Sequence, residues 1–140
     1  MAIRIVQVDA FTDRAFAGNP AAVCVLATAA PDAWMRDVAR EMNLSETAFL
    51  VAENGAYRLR WFTPAVEIDL CGHATVASAH VLWEDGHLPV DKQARFQTRS
   101  GVLTADRRGQ WIELNFPAEE ISRVAEAQPA VAQTTISAGE

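Results

Sequence analysis

Long apolar runs are missing from this chain. No stretch approaches the roughly 20 residues that span a bilayer, so a membrane is not an expected partner. A basic cluster is missing as well. The twelve Lys and Arg are scattered and outnumbered by eighteen Asp and Glu, for a net charge of −6, which sets the chain against nucleic acid and anionic lipid. Cysteine is scarce. Cys24 and Cys71 make no disulfide framework, and a reducing cytoplasm is the expected compartment. The opening residues, MAIRIVQVDAF, alternate and lack the positive, then apolar, then small order of a secretory leader. No H-x-x-x-H or C-x-x-C spacing occurs, and His73, His80 and His87 are spread along the chain, so no metal is expected.

What is present is enough for one folded domain. The chain has 140 residues, 50% of them hydrophobic and 21% charged, a composition that buries a core and excludes general disorder. Ile3, Ile5, Val6, Val8 and Phe11 nearly alternate and predict a first strand. Gly18-Asn19-Pro20 is turn chemistry, and the small apolar run Ala21 to Leu26 suits a buried strand. PDAWMRDVAREMN predicts a helix that starts at Pro31 and Asp32 and stops at Asn43. Its Trp34, Met35, Val38 and Met42 share one face. Thr47–Glu53 and Ala56–Phe62 flank Asn54-Gly55, the preferred pair for a two-residue hairpin turn of type I′.

A second helix is predicted from His73 to Trp83, with Gly86 as its stop. It is apolar or small all round, so it should be buried on every side. ARFQT, GVLTADRR and QWIELNF then predict further strands, with a turn at Ser100-Gly101. After Pro117 the composition shifts to Ala, Glu, Gln, Ser and Thr. Residues 1–117 are thus expected as the domain, and 118–140 as an interdomain segment or flexible tail. The layout is about seven strands with one surface helix and one enclosed helix. That is an α+β class, with a mixed, barrel-like sheet wrapped around a central buried helix.

Several residues have the chemistry for a site, and each has a bland reading beside it. Glu46 sits in NLSETAF, where Asn43-x-x-Glu46 matches a capping box, but the strand that follows leaves no helix to cap. It is otherwise an exposed loop acid, or a functional acid on a loop held by a rigid scaffold. Gly72 and His73 open the central helix, where free N–H groups and the helix dipole favour an anion. They are otherwise a sharp turn and a satisfied helix-start residue. Cys71 precedes them. A helix N-terminus would depress its thiol pKa, whereas small buried Cys is the commoner situation. Asn19 could donate to a ligand from its tight loop or serve only as a turn residue. Asp9, Glu67 and Asp69 flank the same stretches, and His80 reads as a core or interface residue.

Three stretches, VDAFTDRAFAGNPAAVCVL, EMNLSETAFL and RWFTPAVEIDLCGHATVASAHVL, resemble in order and spacing the N-terminal motifs of the PhzF-like phenazine-biosynthesis family, which has the diaminopimelate-epimerase fold. The resemblance implies one half of a two-domain isomerase or epimerase-type enzyme. Each domain of that fold wraps a sheet around a central helix, and the active site lies between them. It also implies proton transfer on a small carboxylate-bearing substrate without cofactor or metal. Glu46 matches the family's general acid/base, since a glutamate in a dry cleft can both take and return a proton near neutral pH. Gly72, His73, Asn19 and Cys71 are expected on the substrate side. In diaminopimelate epimerases a Cys-Gly pair at this place supplies a thiol base, and CGHA matches that pattern in part.

Family chains run to about twice this length, and the acid- and glycine-bearing motif of their second half has no counterpart in residues 84–140. The expected partners are a small anionic metabolite and, to complete the cleft, a second domain or a second copy in a homodimer. The rival reading is a non-catalytic binding or interaction module.

Overall fold

A computed structural model of the chain describes residues 3–10, 19–109, 111–115, 124–126 and 132–138; for Ala10, Asn19 and the last two segments it describes the backbone alone. The first strand, β1 (Ile3–Ala10), pairs antiparallel with β2 (Asn19–Leu26). Helix α1 (Asp32–Met42) follows and leads into β3 (Glu46–Glu53), which runs parallel to β2. β3 turns back into β4 (Ala56–Phe62), and a two-residue strand, β5 (Glu67–Ile68), pairs with the end of β4. Helix α2 (Gly72–Glu84) then crosses the sheet. The chain returns through β6 (Ala94–Thr98), parallel to β4, and continues antiparallel through β7 (Gly101–Arg108) and β8 (Trp111–Asn115).

Two more strands come from the segment after residue 117 that composition sets apart. β9 (Val124–Glu126) pairs with β8, and β10 (Ala132–Ala138) pairs with β1 along its length. Among the described residues the sheet thus has ten strands where about seven were expected. Its order is β10-β1-β2-β3-β4-β6-β7-β8-β9, with β5 off that path. The three additions are the short β5 and the two strands of the polar segment. Phe11, where the first strand was expected to end, and Gly18, expected in a turn, lie outside the described residues, as do the residues between them.

The sheet curls around α2. Every residue from Ala74 to Trp83 is buried, as a helix without a polar face requires. The polar side chains in that helix are satisfied locally: Thr75 Oγ1 donates to the Cys71 carbonyl and Ser78 Oγ to the Ala74 carbonyl, each at 2.7 Å. Val6, Val8, Val23, Leu50, Leu59, Trp61, Phe96 and Leu103 close around the helix from the sheet. Full burial of such side chains is worth about 1.5–3 kcal/mol each.

A second core lies on the other face of the sheet. Met35 and Ala39 of α1 are buried against Ala22, Cys24, Phe49 and Phe62, with Trp34, Val38 and Met42 packed beside them. Trp34, Phe49 and Phe62 meet edge to face, at centroid distances of 5.9 and 5.5 Å. β2 and β3 therefore have a helix on each side. This explains why AAVCVL is apolar without alternation.

Local chemistry sets the boundaries. Asn43 ends α1 in the left-handed conformation (φ 52°), its N–H on the Ala39 carbonyl. Asn54 and Gly55 both have positive φ, as a type I′ turn demands.

Candidate functional site

The site forms where β3 begins and α2 begins. Glu46 is the first residue of β3 and lies beside Ala21 in the parallel β2–β3 register. Alternation along β3 sends Ala48 and Leu50 into the α2 core and Phe49 to the α1 core. Glu46 therefore faces inward, toward α2. The other wall is the start of α2, with Cys71 at the N-cap and His73 in the first turn.

The approach to that helix is pinned. After β4 the chain turns on Thr63, whose N–H reaches the Val66 carbonyl at 2.7 Å while its Oγ1 accepts from the Val66 N–H at 2.9 Å. Arg60 then grips Glu67 with two N–H bonds of 2.8 Å. Arg99 lies 3.1 Å from Glu67 and 3.5 Å from Asp69, and Ser100 Oγ donates to the Asp69 carbonyl at 2.7 Å. Three residues beyond Ile68, Cys71 meets the sheet.

Glu46 and His73 meet there. Nε2 of His73 lies 2.7 Å from Oε1 of Glu46, with side chains 16% and 15% exposed. The distance is that of an ion pair. The angles are not those of a hydrogen bond, and the buried Oε1 makes none. On the other edge of the ring, Nδ1 of His73 lies 3.5 Å from Cys71 Sγ. One carboxylate oxygen, one ring nitrogen and the sulfur all lie within 4.8 Å of one another. A carboxylate that can take a proton thus sits against an imidazole that can donate one, at the positive end of a helix.

The thiol follows the commoner of its two readings, the small buried cysteine. The N–H groups of Ala74 and His73 do act on it and pull its pKa down, as a helix start should. Burial is the larger effect, and the Glu46 carboxylate adds to it, so the Cys71 thiol is pushed up to about 12. Cys71 is a neutral thiol at pH 7. Cys24, between the sheet and α1, is likewise pushed up to about 12 by burial.

Gly72 is the first residue of α2, directly beside this contact. Asn19 begins β2 two residues before Ala21, so its backbone lies at the same end of the sheet as Glu46. Asp9 is buried in β1 opposite Pro20. Glu67 is held elsewhere: the Arg60 hydrogen bonds, with Arg60 and Arg99 charge, keep its carboxyl below the usual range. His80 is buried in the middle of α2, away from the helix start.

Alternation along the hairpin puts Trp61 on a buried face but gives it no chemical role. It lies across from Ala48 and Ile68 in the inner core, and its indole N–H is buried without a hydrogen bond. An indole among alternating apolar residues carries no sign of that in the sequence. A cavity of about 840 Å³ lies on the α1 side, lined by Asp32, Arg36, Arg58, Arg60, Glu67 and Arg99. Glu46 and His73 are not among its walls, and Arg60 is already paired with Asp32 and Glu67.

The model of one protein family, described as phenazine biosynthesis-like protein (PhzC-PhzF), matches residues 8–139. The chain belongs to that family. A protein of Halalkalibacterium halodurans named as an uncharacterized isomerase is 61% identical over 120 residues, covering 86% of this chain and 45% of the relative. A crystal structure of a PhzF-family protein from Enterococcus faecalis matches with a TM-score of 0.80 at 46% identity, covering 85% of this chain and 45% of that one. A hydroxyproline epimerase from Agrobacterium vitis matches with a TM-score of 0.59 at 12% identity, over 81% of this chain and 41% of that one, and so shares the fold alone. The α+β class with a curled mixed sheet around a buried helix, read from the sequence, is the fold of this family. The chain spans less than half the length of the curated relatives it matches. Among the described residues, no helix is long and apolar enough to cross a membrane.

Proposed function

We propose that the chain carries the proton-transfer half of a cofactor-independent isomerase acting on a small carboxylate-bearing metabolite. The observation that carries this reading is the 2.7 Å approach of Glu46 Oε1 to His73 Nε2 at the start of the buried helix. Glu46 removes a proton from substrate carbon and returns it at another position or on the other face. His73 and the helix start hold the substrate carboxylate and the enolate-type oxygen that develops beside it. Gly72 allows close approach to the backbone, and Asn19, whose backbone opens the neighbouring strand, completes the substrate side. Relatives named as isomerases support the reaction class.

The cleft needs a second wall. Val66 and Leu70, both exposed, lie in the segment that leads into α2. A second domain or a second copy of the chain would cover such exposed apolar residues. Light scattering at high concentration tests the copy: a dimer is expected, and a monomer counts against it. The cytoplasm is the proposed compartment.

Proton transfer is tested by incubating a panel of small hydroxy, amino and unsaturated carboxylates with the protein in D2O and following C–H exchange by NMR. Glu46→Gln should abolish exchange while ligand binding persists. Full exchange by that variant would remove Glu46 from its role. The second reading is a non-catalytic binding module. It predicts carboxylate binding with no exchange even in the wild type.

A further inference from the structure

We propose that Cys71, His73 and Glu46 also form a binding site for a borderline divalent cation of the zinc class, and that the cation silences the proton-transfer centre by occupying it. The silencing rests on the function proposed above; the binding does not.

The donor set is the first argument. A sulfur, an imidazole nitrogen and a carboxylate oxygen converge from two elements, within 4.8 Å of one another. Zinc takes these three donor types at about 2.0–2.3 Å, so ligand atoms in a tetrahedral site stand about 3.3–3.6 Å apart. Cys71 Sγ and His73 Nδ1 already stand at 3.5 Å. The Glu46 oxygen now lies against the other ring nitrogen, so its side chain must rotate toward Nδ1 to join the same coordination shell. Three protein ligands and one open position result, the pattern of zinc sites that stay accessible.

The second argument is independent of spacing. Oε1 of Glu46 is buried and lacks a hydrogen bond of acceptable geometry, a state that costs free energy unless something else satisfies the atom. A cation would. Cys71 stands at the N-cap of α2, where the N–H groups of Ala74 and His73 face its sulfur. Such outer contacts orient and stabilise a metal thiolate.

Two effects oppose a cation. Burial favours the protonated Cys71 thiol, so binding must displace that proton. The start of α2 carries about half a positive charge. Once that proton has left, the thiolate and carboxylate supply two full negative charges at shorter range than the helix end. The other cysteine does not compete: Cys24 lies in the core on the opposite face of the sheet.

The pattern has no sequence motif, because Glu46 comes from a strand start and Cys71 and His73 from a helix start far along the chain.

Cobalt(II) serves as the probe, titrated anaerobically into the full chain with a phosphine reductant. One ion should bind per chain, with a thiolate-to-cobalt charge-transfer band in the near ultraviolet that zinc then bleaches. Cys71→Ala should lose the band and bind more than about 10-fold more weakly, since loss even of an outer contact costs that much. Glu46→Gln should keep the band and bind more weakly. Cys24→Ala should match the wild type in both respects. Circular dichroism confirms that each variant is folded, and the wild-type titration decides the matter should Cys71→Ala fail to fold. No band in the wild type, or a band that survives Cys71→Ala or disappears in Cys24→Ala, overturns the site. Zinc should also stop C–H exchange, and a chelator should restore it. Exchange that continues in zinc-loaded protein would overturn the silencing and leave the proton-transfer reading intact. An absence of exchange in metal-free protein would overturn that reading and leave the cation site standing.

Discussion

Two clusters of opposite charge lie on this domain, and they are built in opposite ways. In one, Arg60 spans Glu67 and Asp32: two bonds of 2.8 Å reach Glu67 and one of 2.9 Å reaches Asp32. Arg99 adds a second cation to Glu67 at 3.1 Å, and the Arg60 guanidinium rests 5.3 Å over the Phe62 ring. Donors and acceptors there are matched. In the other, Glu46 has one imidazole at 2.7 Å and a thiol beside it, and its buried Oε1 makes no proper hydrogen bond. The first cluster ties β4, β5, α1 and the β6–β7 turn together. The second leaves a carboxylate with unused capacity next to a helix start. A matched cluster spends its interactions within the fold, whereas an unmatched one keeps them for a ligand.

Substitutions can break this contrast or sharpen it. The largest effect is expected at Glu46: Glu46→Gln should lower C–H exchange by about 10²–10⁴-fold, the usual worth of general acid/base catalysis. The same change should move the urea midpoint little, because the carboxylate it removes was poorly satisfied. Equal losses of stability from Glu46→Gln and Arg60→Ala would end the comparison. Arg60→Ala should cost about 1–3 kcal/mol in urea unfolding, since it leaves Glu67 with one partner instead of two.

A pH effect comes next. Arg60, chiefly through its hydrogen bonds, holds the Glu67 carboxyl below its ordinary range. A carboxylate with a depressed folded-state pKa contributes stability above its unfolded value of about 4.3, and loses it as pH falls through the folded value. Wild-type stability should therefore decline below about pH 4.3, and Glu67→Gln should flatten that part of the curve. A parallel decline in the variant would show that other carboxylates carry the acid limb. The smallest effect is at Cys71. With its thiol pushed up to about 12, native protein at neutral pH should react with iodoacetamide more slowly than urea-unfolded protein. Faster native reaction would mean that the helix start, not burial, governs the thiol.

Much of this was legible in local chemistry. Asn54-Gly55 dictates a turn with two positive φ angles, because few other pairs adopt them. Asn43 marks the end of α1 for the same reason. The bland run from Ala74 to Trp83 has no face that water could accept, so burial on all sides followed from composition. β10 was not legible: AQTTISA is polar, and what places it is the exposed edge of β1, to which it pairs over seven register positions. The two readings of Cys71 stayed open in the sequence because a helix dipole can be read there and burial cannot. Desolvation depends on how completely Cys71 is covered, and it is 8% exposed.

The sequence by itself determined the two helices, the hairpin, the family and the residue types at the site. Those follow from periodicity, turn geometry and side-chain chemistry, which act over a few neighbouring residues. Only the tertiary structure decided that Glu46 touches His73 and that Glu67 does not take part. The parallel β2–β3 register brings Glu46 to the mouth of the sheet, and Arg60 draws Glu67 away from it. Both depend on contacts between residues distant in the chain, which no local pattern encodes.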